Sequence, residues 1–568
     1  MPTRNGSSNS LESITQSTSQ RVTSKPNNVN SLEHFASSYS RAQSFLTIER
    51  PQELSRARSF FIDGDSPNTS ANYWPLDSAI DDDESVADES ALRYSETSSL
   101  LEEPVGFKYA PVARRMSSYT SAPHKGVLIL QETEAVSSAV DPDRVIVRKV
   151  ETEDGRVITE VAGQSTAQQT IFNSVNVLIG IGLLSLPLGF KYSGWLIGVS
   201  TMVVSALSTF YTAKLLAKCL DRDSTIVTYA DVAYTAYGHK GRLMVSVLFV
   251  LELLGAGVSL VVLFADSLYT LYPHFSKFQY KVLAFLVLTP PSFLPLRILS
   301  ISSVFGIIST MSIVVVFVCC GFYKTDSPGS LIQPMETWLF PQNWKAVPLS
   351  IGIFMAPWGG HAVFPNIYRD MRHPLKYGKC LAVIYQITFL VDFSMCVIGF
   401  LMFGDGVKDE VTKNLLLATG YPGGLNYLIT VLIALIPLAK APLNSRPIVT
   451  TLDALLGVEN MPPSRLKDFY TGLVRVFVIF LFVGVAIVFP DFDRIIALVG
   501  SLLCISVCLI LPLLFYIKIY DGEISQIELF TDYILVVVFS ILAVLGTVWS
   551  ILPPDYLGIQ GRNEKMGW

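Results

Sequence analysis

Hydrophobic and polar positions divide this chain into two unlike parts. Up to about residue 165, apolar residues are scattered among serines and acids, and no run is long enough for a signal peptide or a membrane span. From there to residue 553 the pattern reverses. Eleven apolar segments, each near the ~20 residues that hydrocarbon demands of a helix, fall roughly at 169–190, 195–219, 243–272, 279–296, 299–323, 348–368, 377–404, 423–446, 469–489, 492–519 and 527–552. The pattern predicts an all-α integral membrane domain of about 11 transmembrane helices over 166–553. A disordered polar tail over 1–142 precedes it, and a short tail over 554–568 follows. Between tail and first span, Val145–Val150 and Arg156–Val161 alternate β-branched residues around Glu153-Asp154-Gly155, the signature of a β-hairpin over 143–165.

Two of the spans are interrupted. The first breaks at Gly180-Ile181-Gly182, and the sixth carries Met355-Ala356-Pro357-Trp358-Gly359-Gly360-His361. A helix that stops inside hydrocarbon leaves backbone groups that cost several kcal/mol each when unsatisfied. Protein, water or a ligand must bond them. One such break in each half of a polytopic chain marks the substrate site of a transporter.

Composition agrees with this reading. Half of the 568 residues are hydrophobic, the mean hydropathy is +0.44, and 16% are charged, against about 25% in soluble domains. The net charge of -5 conceals segregated charges, with an acidic run at Asp81–Glu84 in the tail. Lys and Arg concentrate in one set of alternate loops, including Lys214, Lys218, Arg222, Lys240, Arg242, Arg369, Arg372, Lys376, Arg446 and Lys518. That side is expected to be cytosolic, which puts the N-terminal tail in the cytosol and, with an odd helix count, the C-terminus on the far side, luminal in a vacuole-like membrane. The seven cysteines sit in or beside apolar segments without a CxxC pair, as packing residues. GxGxxG, GxxxxGK[ST] and GxSxG are absent, and no metal-ligand spacing occurs. An enzyme, a metal, a cofactor and a nucleic-acid partner are therefore not expected.

Three motifs carry a resemblance. They are Phe172-Asn173-Ser174-Val175-Asn176 leading into Gly180-x-Gly182-x-x-Ser185-x-Pro187, Tyr229-Ala230-Asp231-Val232-Ala233 before Tyr237-Gly238, and Gly359 through Met371. Over about residues 163–553 the chain resembles the amino acid/auxin permease family, nearest to fungal vacuolar amino acid transporters related to the vesicular inhibitory amino acid carrier. The resemblance implies an inverted-repeat (LeuT-like) fold with the first and sixth helices unwound. It also implies secondary, proton-coupled transport of neutral L-amino acids.

Such a solute must find partners for both its charges at the bilayer midplane. The amides of Ile181, Gly182 and Leu183, at the positive end of a restarting half-helix, suit the α-carboxylate. Glycine there lets the ligand approach the backbone. Carbonyls near Ile179 and along Phe354-Met355-Ala356 suit the α-ammonium. Trp358 is a candidate wall over the substrate side chain, and Gly359 and Asn176 complete the expected site. His361 either donates or titrates there, or bonds a freed carbonyl structurally. Ionisable groups within spans are functional candidates by default. Lys440, where sodium-coupled relatives of this fold hold their cation, is placed to bond first-helix carbonyls near Asn176 and Ile179, with snorkelling to the interface as its alternative. Glu252 is the carboxylate candidate for proton coupling, or else a structural partner, and Asp266 and Asp392 rank below it.

In the tail, Glu96-Thr97-Ser98-Ser99-Leu100-Leu101 fits an acidic dileucine sorting signal and Tyr109-Ala110-Pro111-Val112 a tyrosine-based one, both read by sorting adaptors as extended peptides. With the resemblance they favour a vacuolar, lysosome-like membrane. Proton antiport into the vacuole, export by proton symport, and an amino-acid sensor signalling through the tail remain open at this point.

Overall fold

In a computed structural model of the chain, the described residues are 38–40, 42, 147–151, 157–161, 163–458, 461–462 and 464–558. Two strands, β1 (Val147–Glu151) and β2 (Val157–Val161), pair antiparallel with Val147 opposite Val161. Every named element after them is a helix. The first half comprises α1 (Ala167–Leu178), α2 (Leu186–Asp221), α3 (Tyr229–Leu271), α4 (Lys277–Leu288) and α5 (Leu296–Tyr323). The second comprises α6 (Val347–Met355), α7 (Phe364–Asp370), α8 (Tyr377–Phe403), α9 (Val411–Leu417), α10 (Gly423–Leu455), α11 (Arg465–Val488), α12 (Phe492–Leu498), α13 (Leu511–Ile519) and α14 (Gln526–Ile551). A π-helical stretch, Val499–Ile510, joins α12 to α13 in one continuous rod.

Among the described residues, eight helical stretches are long and apolar enough to cross a membrane. The other three segments expected from the hydropathy pattern are short or broken. The segment at 279–296 is the 12-residue α4, ended by a tight turn over Pro290–Phe293 because prolines cannot donate to a continuing helix. The segments at 169–190 and 348–368 are each two helices with a gap between them.

Local chemistry sets these boundaries. Thr166 caps α1 reciprocally with Gln169, and Thr228 caps α3 with Asp231. Gly194, at φ +69°, turns the chain inside α2 between the first and second spans, where a side chain would meet the Leu339 carbonyl at 2.8 Å. Helix α10 packs on both α3 and α5, and α6 packs on α2, the π-helical stretch and α14. The faces of α11 and α14 turned away from the interior carry Phe477, Phe480, Phe530, Val537 and Val544 in the open. Polar groups gather inside, which is the arrangement lipid requires.

Candidate functional site

The first span ends as a helix at Leu178. Ile179 is extended, Gly180 follows at φ -120° and ψ -163°, and the chain restarts as a 3-10 turn over Ile181–Ser185 before α2. The leading amides of such a turn, those of Ile181 and Gly182, have no acceptor within it. The sixth span ends as α6 at Met355 and passes through a 3-10 turn at Ala356–Trp358. It then runs irregularly through Gly359 and Gly360 and resumes as α7. The two turns touch. A Cβ built on Gly182 would lie 3.4 Å from the Pro357 nitrogen. Both interruptions therefore face each other across one cavity of about 180 Å³, room for about six waters.

The cavity is lined by Asn176, Gly180, Ile181, Gly182, Ala356, Pro357 and Gly359 from the breaks. Glu252 and Ser259 of α3, Lys440 and Asn444 of α10, and Cys504 of the π-helical stretch also line it. Lys440 Nζ donates to the Ile179 carbonyl at 2.7 Å and the Asn176 carbonyl at 3.3 Å. It lies between Pro437 and Pro442, inside a helix that three prolines interrupt. The ammonium thus bonds the stopped end of α1, and the Ile179 carbonyl, expected to receive a substrate ammonium, already has a cationic donor. Glu252, 9% exposed, stands against the second break. Its Oε1 is 3.8 Å from Cys504 Sγ, its Oε2 has no hydrogen-bond partner among the described residues, and a Cβ on Gly359 would fall 2.9 Å from Oε1. Asn176 donates to Ser303 of α5 at 2.8 Å, and its Oδ1 has no partner among the described residues.

Several expected residues lie behind the cavity wall. Trp358 is fully buried and stacks on Tyr385 of α8, centroids 5.3 Å apart at 12°, so it braces the break from outside. His361 Nε2 lies 3.0 Å from Thr212 Oγ1 and 3.1 Å from the Thr209 carbonyl, both on α2. His361 thus contacts α2 and lies outside the cavity lining. Leu183, Phe354 and Met355 are buried and outside the lining, as is the Ile179 side chain. Asp392 is buried in α8 away from the cavity. Asp266 belongs to a separate cluster, in which Lys413 of α9 bonds Asp266 at 2.5 Å, Asp409 at 2.8 Å and Glu410 at 3.3 Å. Glu96, Leu100, Leu101 and the Tyr109 motif lie outside the described residues.

The sequence profile of the family described as "Transmembrane amino acid transporter protein" matches residues 163–552. The chain belongs to this family. The transporter is 29% identical over 452 residues to Amino acid transporter AVT1E of Arabidopsis thaliana, covering 76% of this chain and 82% of that one. It is 32% identical over 402 residues to Amino acid transporter AVT1C of the same plant, covering 67% and 69%. Among solved structures, it is similar to a Na+-coupled sialic acid symporter in a substrate-bound outward-open state, at 14% identity and TM-score 0.45, covering 68% of this chain and 90% of that one. It is also similar to Mhp1, a nucleobase-cation-symport-1 family transporter, at 13% identity and TM-score 0.43, covering 68% and 91%.

Sequence reasoning about this transporter missed Ser303, Cys504 and Tyr39, all of which reach the cavity or its Asn176. It also missed a strap between the two broken helices. Gln164 and Ser165 donate through their amides to the Asp370 carbonyl at 2.8 and 2.7 Å, and Arg372 donates back to the Ser165 carbonyl at 2.8 Å. Ser165 Oγ donates to the Asp370 carboxylate as well. None of these stands out locally, because each is an ordinary residue made significant by a partner more than a hundred positions away.

Proposed function

We propose that the chain is a secondary transporter of neutral L-amino acids, coupled to protons and working by alternating access in a vacuolar, lysosome-like membrane, as an antiporter that loads the vacuole. The N-terminus is cytosolic and the C-terminus luminal in this reading. The observation that carries it is the pair of helix breaks meeting face to face around one cavity, with Lys440 bonded to the stopped end of α1. Two relatives bearing the name of amino acid transporters support the substrate class.

In this reading the leading amides at Ile181 and Gly182 receive the α-carboxylate, where backbone donors and the turn's dipole favour an anion. The α-ammonium goes to the opposite wall, to Glu252 and the Ala356 carbonyl, since Lys440 holds the carbonyl of Ile179. Lys440 links protonation to shape. As an ammonium it ties α10 to α1 by charge-assisted bonds; the neutral amine keeps two N–H donors but loses the charge that strengthens them, and its hold on α1 loosens. Neither contact reads the side chain, so the R group is selected by the apolar lining, such as Phe249, Leu253 and Val363.

Purified protein in liposomes with an imposed pH gradient tests the proposal. Neutral amino acids should accumulate on the acidic side, and an ionophore that collapses the gradient should abolish accumulation while sparing exchange. Accumulation that ignores the gradient would reject the coupling.

A further inference from the structure

A short piece of the N-terminal tail sits inside the machinery. Residues 38–40 and 42 are helical, and Ser38, Tyr39, Ser40 and Ala42 are all buried, within a tail whose composition reads as disordered. Ser38 Oγ shares a 2.5 Å hydrogen bond with Ser165 Oγ and accepts from Asn173 Nδ2 at 2.8 Å. Ser38 and Ser165 are 127 positions apart, so chain connectivity does not bring them together. Tyr39 packs on Leu299 of α5 and Leu443 of α10, and its ring lines the cavity described above.

We propose that the tail-side mouth of the cavity is a docking site whose occupant is this chain's own segment around Ser38–Ala42, and that this segment closes the mouth when seated. The proposal rests on the transport reading of the cavity. The contacts themselves argue for closure. Ser38 grips the strap that joins the start of α1 to the end of α7, while Tyr39 wedges against α5 and α10. One short segment thereby bridges elements that must separate if the mouth is to open, since alternating access moves one bundle against another. The seat is made of hydroxyl and amide partners with an aromatic anchor. Such a combination specifies one register, because a buried polar group displaced from its partner is left unsatisfied. A charge at position 38 would have to be stripped of water to fit, so the seat should refuse it.

The test uses full-length protein carrying Asn444→Cys as a reporter, on a background with Cys319→Ala to remove the exposed native thiol. Asn444 lines the cavity one helical turn beyond Lys440 on α10. A charged thiol reagent is added from the tail side, and labelling at position 444 is read by peptide mass spectrometry. With the native tail, labelling should be slow. Tyr39→Ala and Ser38→Glu should each raise its rate about tenfold, while the thermal midpoint stays close to that of the parent. Equal rates with and without these substitutions would overturn the proposal. As a second arm, Ser38→Cys with Ser165→Cys should form a disulfide under mild oxidation, since the two hydroxyls already touch. The locked protein should label at 444 no faster than the parent and regain only that basal rate on reduction. Failure to crosslink would also overturn the proposal. Neither readout depends on flux. If amino acid transport itself is missing in the liposome assay, the function above fails while the docking result stands or falls separately.

Discussion

At the scale of single residues, the site depends on groups whose surroundings leave them no substitute. Lys440 satisfies two carbonyls at the stopped end of α1. Lys440→Met keeps the apolar stem but strips both of their donor, at about 1–3 kcal/mol for each buried group left unsatisfied. The expected outcome is a lower thermal midpoint together with loss of pH-driven uptake; uptake at the parental rate would remove Lys440 from the coupling. Gly359 makes the opposite kind of case. A methyl there would sit 2.9 Å from both Cys504 Sγ and Glu252 Oε1, filling the space that the proposed function gives to the ligand's ammonium. Gly359→Ala should weaken amino-acid binding by at least about tenfold, the equivalent of ~1.4 kcal/mol, within the ~1–3 kcal/mol typical of overpacking. A thermal-shift titration measures it. By contrast a Cβ at Gly182 meets Pro357 at an ordinary 3.4–3.5 Å, so Gly182→Ala should bind nearly as well as the parent. The branched methyls of Gly182→Val should not be tolerated.

Elements show which parts of this architecture a sequence can announce. Hydrophobic runs located the long spans because each has to be apolar along its whole length. The breaks were legible because Gly180, Gly182, Pro357, Gly359 and Gly360 punctuate otherwise continuous runs. The inward faces were not legible. Trp358 and His361 sit at the break in sequence yet point outward to Tyr385 and α2, and a helix break scrambles the periodicity that would have predicted their direction. The closest helix contact in this region was equally hidden. A Cβ on Gly500 would lie 1.8 Å from the Gly352 carbonyl, and one on Gly352 2.1 Å from the Ala497 carbonyl, so α6 and the π-helical stretch meet backbone to backbone. Small residues permit such approach in membranes. Gly500→Ala should fail to give a monodisperse folded protein in detergent, judged by size exclusion, because rigid backbone leaves the methyl nowhere to go. The cluster beyond α8 is a second element-scale case. Burial pushes the Glu410 carboxyl well above the ordinary carboxylate range, against the opposing pull of Lys413. Burial alone would lower Lys413, but Asp409, Glu410 and Asp266 outweigh it and hold the ammonium above its usual value. A carboxyl raised on folding binds its proton more tightly in the native state. Its stabilisation is full below the unfolded value of about 4.3 and is lost as pH climbs toward the folded one. Thermal unfolding between about pH 5 and pH 8 should show the parent weakening as pH rises, and Glu410→Gln should flatten that slope. Removing Lys413 instead, as Lys413→Met, should cost about 3–5 kcal/mol by leaving buried carboxylates uncompensated.

For the molecule as a whole, the two interrupted spans have the same consequence from either direction. Read along the chain they point to a substrate seat, and in space they share one cavity with Lys440, Glu252 and Asn176. That convergence was readable because the bilayer punishes unsatisfied backbone so heavily that a break requires a reason. The tail seat was unreadable, since nothing about Ser38-Tyr39-Ser40 distinguishes it from the serine-rich sequence around it. The strap between Ser165 and Asp370 bears on how the whole assembly can move. Because the entry to α1 and the exit from α7 are laced together by backbone, the two broken helices have a single handle on the tail side and cannot be pulled apart there. A conformational change begun at that end must carry them as one piece. The two halves of the ligand's cradle would then keep their spacing while the surrounding helices decide which face of the membrane it looks upon.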